Sequence, residues 1–528
     1  MPPMGAVRVP CAHVTHGLSW YDPAVSDAAR MPRQIPFIIA NEGCERFSFY
    51  GMRNILVPYL TAGLFAALPQ AQGEDAAKDV YHTFAMGVYF FPLLGGWLAD
   101  RWFGKYNTIL WFSALYCAGQ GVLATFYDEK LGIYLGLSMI ALGSGGIKPL
   151  VASFMGDQFD ARTKHLAKLV FDAFYWIINF GSLFATILTP IFLGSLGPRV
   201  AFGVPGVLMA VATIAFWAGR RHYVMVPPPP PNPDSFLRVI KTALRDGPGR
   251  TLAIAGLVLG AGALFLEPWI EPAPAICLAL VIVLGVGGAA TAWQLERARG
   301  HHADAAIDGV RGVLGVLVMF AFVTPFWSLF DQKASTWVIQ GAHMTKPDWF
   351  KPAQMQALNP ALVMLLIPFN NLVLYPWLER RGWKPTALRR MTIGIALAGI
   401  AYVIVGAMQL AMDGGNPLQI TWQILPYVFL TMGEVLVSAT GLEFAYSQAP
   451  PAMKGVIMSF WNLTVTVGNL WTLLSNAAIK NGAVTDAIAS TGISNTAFQM
   501  FFFALFAFAA ATAFGLRARR YRVVDHYR

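Results

Sequence analysis

Fourteen apolar runs divide this chain, and no other feature restricts its fold as strongly. They lie near residues 35–66, 79–103, 106–126, 131–156, 166–194 and 200–219, then 251–267 and 275–295, then 312–342, 358–378, 388–412, 418–447, 455–479 and 496–516. A helix needs about 20 residues to cross a bilayer core of ~30 Å, and each run is near or above that length. Composition agrees: 12% of the 528 residues are charged, about half the ~25% of an average soluble chain. A soluble surface cannot be built from so few charges. The chain reads as an all-α integral membrane protein of about 14 transmembrane helices.

The net charge of +10 does not indicate nucleic-acid binding, because the bases lie in short loops and not in a patch that tracks phosphates. With a cytoplasmic N-terminus, the inner segments carry Arg101, Lys105, Arg162, Lys164, Lys168, Arg220, Arg221, Arg297, Arg299, Arg380, Arg381, Lys384, Arg389, Arg390, Arg517, Arg519, Arg520 and Arg522. The outer loops then carry Glu74, Asp75, Asp79, Asp128, Glu129, Glu267 and Glu271. That asymmetry sets orientation and places both termini in the cytoplasm. The first ~34 residues lack the apolar segment of a signal peptide. Cys11, Cys44, Cys117 and Cys277 are isolated and suggest neither a metal site nor a disulfide framework.

The runs group as six, a pair, then six. The expected organisation is a cytoplasmic segment at 1–34, a six-helix bundle at 35–222, a linker with two inserted helices at 223–310, a second bundle at 311–518 and a tail at 519–528. The linker opens with the stiff run Pro227–Pro231. A faint repeat supports two related halves. Asp100-Arg101 with Gly104-Lys105 follows the second run, and Glu379-Arg380-Arg381-Gly382 follows the second run of the latter six. Two six-helix halves with a site between them at mid-membrane resemble the major facilitator fold.

Ionisable residues inside apolar runs are costly and point to function. Glu42, Glu45, Arg46, Tyr50 and Arg53 share one helical stripe by their spacing, so the stripe is expected to face a cavity. Lys148 follows the glycine-rich stretch Gly143–Gly146 and precedes Pro149, a combination that loosens or kinks a helix. It needs an acceptor. Asp331 is the foremost candidate, in a bridge between halves that protonation would release, and Lys333 competes for that acid. Glu434 lies centrally in a second-half run. His82 opens the second run, a place that suits an interfacial residue as well as a proton carrier. No nucleophilic triad, metal-ligand spacing or phosphate loop appears, so neither catalytic nor metal residues are expected.

The stretch Glu42-Gly-Cys-Glu45-Arg46-Phe47 with Tyr50 and Arg53 resembles the ExxERF signature of the proton-dependent oligopeptide transporter family. Further blocks resemble that family in order: Tyr81–Phe84, Gly95–Asp100, Gly145–Pro149, Gly156–Phe159, Phe174–Ser182, Phe326–Gln332 and Gly441–Pro450. The resemblance implies proton-coupled symport of di- and tripeptides without a cofactor, by a protein functional as a monomer in a cell membrane, the bacterial inner membrane given the inserted pair. It implies that Glu42, Glu45, Arg46, Lys148, Asp331 and His82 serve proton coupling and gating. Arg53 and Lys148 would meet the peptide carboxylate. Asn179, Asn359 and Glu434 would hold the peptide ammonium, and Tyr50, Tyr89, Tyr175, Trp327, Ser438 and Trp461 would line the pocket.

Phe49, Phe180 and Asn370 depart from the family's usual residues, which bears on substrate preference. A same-fold transporter of nitrate or amino acids is the nearest alternative. Glu434 weighs against a purely anionic substrate, because it would repel one. A receptor or membrane enzyme is the rival from another class, and no motif supports it.

Overall fold

A computed structural model describes residues 31–521 except 161–162, 229, 231, 449 and 451–452. Cys11, most of the 1–34 segment, Arg162 and the tail from Arg522 therefore lie outside the described residues. The described chain is helical, with two isolated bridges and no strand. Helices satisfy their own backbone polar groups, which is what hydrocarbon surroundings demand.

The first half holds α1 (Ile35–Tyr59), α2 (Gln70–Phe90, extended by Pro92–Leu98), α3 (Gly104–Thr125), α4 (Lys130–Ile147, followed by Leu150–Gly156), α5 (Ala167–Ser195) and α6 (Pro198–Ala218). Next come α7 (Phe236–Ala243), α8 (Pro248–Leu264) and α9 (Pro272–Gln294). The second half begins with a bent span, α10 (Asp304–Ala321), α11 (Thr324–Asp331) and α12 (Thr336–Ala342). It continues with α13 (Leu358–Phe369), α14 (Ala387–Asp413), α15 (Ile424–Gln448), α16 (Lys454–Ile479) and α17 (Asn495–Arg520).

Among the described residues, 9 helical stretches are long and apolar enough to cross a membrane, or 11 if each of two bent pairs is one span. One of these, Gln70–Thr125, is 56 residues long, about 84 Å of helix, and must cross twice. Helices α1 and α16 have the length of a crossing but carry buried polar side chains, including Glu42, Glu45, Arg46 and Arg53 on α1 and Asn469 and Asn476 on α16. Including these, the expected fourteen crossings are present.

One core draws on residues 35–223 together with Ala334, and another on residues 316–514. The glycine stretch of α4 has a role in packing beyond loosening the helix. A Cβ on Gly145 would stand 2.7 Å from the Phe91 carbonyl carbon, and one on Gly95 would stand 2.2 Å from the Gly145 oxygen. Side chains are excluded where α4 crosses the α2 extension, and the helix then ends at Ile147, leaving Lys148 at the break.

The inserted pair forms a hairpin of α8 against α9. Cys277 of α9 packs with Met86 of α2 and with Leu470 and Leu473 of α16, so the insertion touches both halves at their seam. Helix α7 turns away from α8 by 111°. It packs on a third core that includes Leu295, Ile307, Val310 and Met453.

Contacts between halves cluster at mid-depth and at the end bearing the acidic loops, called the acidic end below. There His343 Nε2 lies 2.9 Å from Glu74, Asn476 donates to Asp79 at 2.9 Å, and Lys480 pairs with the same Asp79. Gln354 donates to the Ile187 carbonyl at 3.0 Å.

Candidate functional site

At mid-depth a buried chain of polar groups crosses the seam. Arg53 of α1 donates from Nη2 to Asp331 Oδ1 at 2.5 Å and from Nε to the Tyr81 hydroxyl at 2.6 Å. Asn469 of α16 donates to the other Asp331 oxygen at 2.7 Å, and its own oxygen lies 2.7 Å from His82 Nδ1. The carboxylate therefore orients the amide, and the amide orients the imidazole. Because Asn469 turns its NH2 group toward Asp331, its oxygen faces His82, and Nδ1 carries the proton. His82 Nε2 then faces Ser335 Oγ at 2.9 Å, accepting from that hydroxyl when neutral and donating to it when charged.

About two helical turns along α1 lies a second charged group. Arg46 Nε stands 3.0 Å from Glu42 Oε1 and 2.5 Å from Glu45 Oε2. The Nε–H direction serves neither carboxylate as a hydrogen bond, so charge attraction holds the trio. Glu45 is wholly buried and Glu42 nearly so. Lys148 sits beside this group with its Nζ 3.8 Å from the centre of the Phe49 ring and 4.3 Å from that of Tyr89. It lies within electrostatic reach of Glu45, Arg46, Arg53 and Asp331 and forms no ion pair among the described residues.

The second half supplies a facing cluster. Lys333 donates to Asn359 Oδ1 at 2.9 Å, and Asn359 Nδ2 donates to Glu434 at 2.5 Å. Thr431 accepts from the same amide at 3.2 Å. Trp327 and Trp461 pack edge to face at 6.1 Å, and Tyr50 meets Phe49 edge-on at 5.3 Å. The first half thus presents Lys148 and Arg53, and the second presents Asp331 and Glu434. Among the described residues no group of three His, Cys, Asp or Glu side chains could hold a metal ion.

A family model described as the POT family (PTR2) matches residues 106–492. The chain belongs to the POT family. Solute carrier family 15 member 2 of Homo sapiens is 32% identical over 431 residues, covering 78% of this chain and 54% of that protein. Peptide transporter family 1 of Drosophila melanogaster is 33% identical, covering 74% of this chain and 49% of that protein. The chain spans about half the length of the curated relatives it matches. Among solved structures, an auto-inhibited POT family peptide transporter is 63% identical with a TM-score of 0.92, covering 94% of this chain and 99% of that one. The POT family transporter PepTSo is 61% identical, also with a TM-score of 0.92, covering 94% of this chain and all of the other.

Within this POT family chain, two sequence expectations need correction. The Lys148–Asp331 bridge is not formed. Asp331 pairs with Arg53, because the longer, forked guanidinium reaches across the seam and also takes up Tyr81, while the ammonium rests on two aromatic faces. His82 is not at a helix end. The helix begins at Gln70, a turn and more before the apolar run, so His82 falls inside α2 and is fully buried.

The other named residues are distributed as follows. Asn359 and Glu434 come together, whereas the Asn179 amide donates to the Tyr175 carbonyl on its own helix at 3.0 Å. Tyr50 and Tyr89 are half-buried, Ser438 lies on α15, and Tyr175 is 45% exposed. Trp327 and Trp461 belong to the second core. Lys333, weighed as a rival for Asp331, instead serves Asn359. Sequence reading missed Asn469, Tyr81 as a partner for Arg53, and Ser335. Their one signal was polar identity within helices otherwise rich in apolar residues.

Proposed function

We propose that this protein carries out proton-coupled symport of di- and tripeptides into the cell by alternating access, as a monomer in the bacterial inner membrane with both termini cytoplasmic. It acts as a transporter and not an enzyme, draws on the proton gradient, and uses no cofactor. Two six-helix halves, at about 35–222 and 311–518, rock about the site between them. The observation that carries this reading is the sorting of charge at the seam. Lys148 stands without an ion-pair partner among the described residues of one half, and Glu434 with Asn359 stands on the other.

A zwitterionic peptide places a carboxylate at one end and an ammonium at the other. In this reading Lys148 and Arg53 take the carboxylate, where charge-assisted bonds are strong. Glu434, Asn359 and Asn179 take the ammonium. Tyr50, Tyr89, Tyr175, Trp327, Ser438 and Trp461 accept side chains of varied shape. Arg53 is engaged by Asp331 at mid-depth while the acidic end is closed, so protonation of Asp331 releases it for substrate. Glu42, Glu45 and Arg46 hold a second exchangeable proton, and His82 communicates with Asp331 through Asn469.

Relatives named as peptide transporters support this substrate class. The test is competition for labelled dialanine uptake into proteoliposomes under an inward proton gradient. Unlabelled di- and tripeptides should compete, whereas nitrate and free amino acids should not. Inhibition by nitrate alone would replace the peptide reading with anion transport.

A further inference from the structure

We propose that α7 and the corner after it form a binding surface for anionic phospholipid headgroups. The segment from residue 235 to 266 carries Arg238, Lys241, Arg245 and Arg250 against a single acid, Asp246. Helix α8 has 17 residues, about 26 Å of rise, and spans the apolar layer. A helix turned 111° from it runs roughly in the membrane plane, at the level where the polar and apolar layers meet.

That turn is held in place. Gln294 at the end of α9 is buried. It donates to the Ala243 carbonyl at 2.7 Å and to the Asp246 carbonyl at 3.0 Å, and it accepts from the Gly249 N–H at 2.9 Å. Gly247 adopts φ +89°, and a Cβ there would stand 2.0 Å from Arg297 Nη1. Trp293, beside Gln294, is 64% exposed. Tryptophan at such a helix end anchors at headgroup depth. The corner therefore sits at that depth.

The faces of α7 are sorted accordingly. Phe236, Val239 and Ala243 are buried against the third core, and Phe236 packs edge-on to Phe460 at 5.9 Å. Ile240 is partly buried against the same core, and helical spacing then puts Leu237 on the outer flank beside it and Arg238 and Lys241 on the next. Leu244 and Arg245 continue the two flanks into the corner. Leu237 is 69% exposed. An apolar flank beside a basic one is the pattern of a helix lying in the interface, with bases at headgroups and leucine toward acyl chains.

Charge pairing separates these bases from their neighbours. Arg299 pairs with Glu296 and Asp304, and Arg311 pairs with Asp308 and Glu296. Asp234, near α7, is taken by His302 at 2.9 Å. Arg238, Lys241 and Arg245 make no ion pair among the described residues. Clustered bases on an amphipathic helix beside a membrane span attract anionic lipid, and here protein acids do not satisfy them. The occupant is the lipid phosphate, held at the membrane surface.

The test uses full-length protein in nanodiscs of equal phosphatidylglycerol and phosphatidylcholine, released for native mass spectrometry to count the lipids retained. Native protein should retain phosphatidylglycerol preferentially, and raising the salt from ~0.1 M to ~1 M before release should abolish the preference without any substitution. The variant Arg238→Gln/Lys241→Gln/Arg245→Gln should lower the preference by about tenfold or more, whereas Arg299→Gln/Arg311→Gln should keep it. Inorganic phosphate at constant ionic strength should leave the count unchanged. A triple variant with the native preference, an equal loss in the paired-base control, or displacement by inorganic phosphate would each overturn the assignment.

Discussion

Arg53 and Asp331, on opposite halves of the molecule, meet at 2.5 Å with both side chains buried. An ion pair removed from water is balanced finely against its desolvation, but losing one partner leaves a buried charge uncompensated, at a cost of about 3–5 kcal/mol. The single variants Arg53→Ala and Asp331→Ala should each destabilise the protein, and the double variant should cost less than their sum. A double-mutant cycle on thermal or denaturant unfolding should give a coupling of about 2–3 kcal/mol. Additive losses would mean that the two residues do not support one another.

Asn469 orients both of its neighbours, so a shape-matched apolar replacement should be felt at two places. Asn469→Leu strands the His82 Nδ1–H and one Asp331 oxygen, each at a cost of about 1–3 kcal/mol. The variant should unfold earlier and lose proton-coupled uptake. Asn469→Ala/His82→Ala should lose less than the sum of the two single variants, because the imidazole is then no longer present to be left unsatisfied. A double variant that loses the full sum in a melting series would contradict this linkage.

Lys148 behaves differently from Arg53 because no acid among the described residues forms an ion pair with it. Lys148→Ala removes a cation resting on Phe49 and Tyr89 and breaks no ion pair among the described residues. Melting temperature should hold or rise slightly. Peptide affinity should drop roughly 100-fold if the lysine contributes a charge-assisted bond of about 1.5–3 kcal/mol. Binding calorimetry beside a melting curve separates the two effects. Equal loss of both would make Lys148 a packing residue.

Glu271 sits in the loop between the inserted helices, exposed at the acidic end with φ +67°. Desolvation, reinforced by the Asp79 charge, holds its carboxyl above the ordinary carboxylate range, against the opposing pull of Lys480 and Lys130. A raised folded-state pKa favours the fold while the group is protonated, and that contribution is lost as pH rises through the folded value. Glu271→Gln should therefore raise the melting temperature slightly near pH 8 and change it little near pH 4. The unusual backbone angle is shared by both residues and cancels. The reverse pH order would show that the ionised carboxylate is stabilising.

The fold class was readable because lipid permits few solutions. Long apolar runs specify helices, and Glu42, Glu45, Arg46 and Arg53 stood out against a background with hardly any charge. Partner choice was less readable. Distance along one helix follows from spacing, but whether Arg53 or Lys148 reaches Asp331 depends on how two halves dock and on side-chain reach. His82 was misplaced for a related reason: α2 continues through the polar residues Gln70–Lys78 beyond the membrane, so the apolar run marked the bilayer and not the helix end. Asn469 was hidden because a neutral amide in a helix carries no charge signal, although it completes the buried network.

In the proposed function, proton entry drives peptide accumulation through this site. One proton crossing ~100 mV supplies about 2.3 kcal/mol, and one pH unit adds about 1.4 kcal/mol. Together these support roughly 500-fold accumulation at one proton per peptide. The most direct measurement is the steady-state ratio of internal to external dialanine in proteoliposomes holding that gradient, with and without a protonophore. Accumulation should exceed equilibrium severalfold or more, collapse to unity with the protonophore, and be lost in Glu45→Gln and Lys148→Ala. Accumulation that persists after the gradient is dissipated would contradict the account.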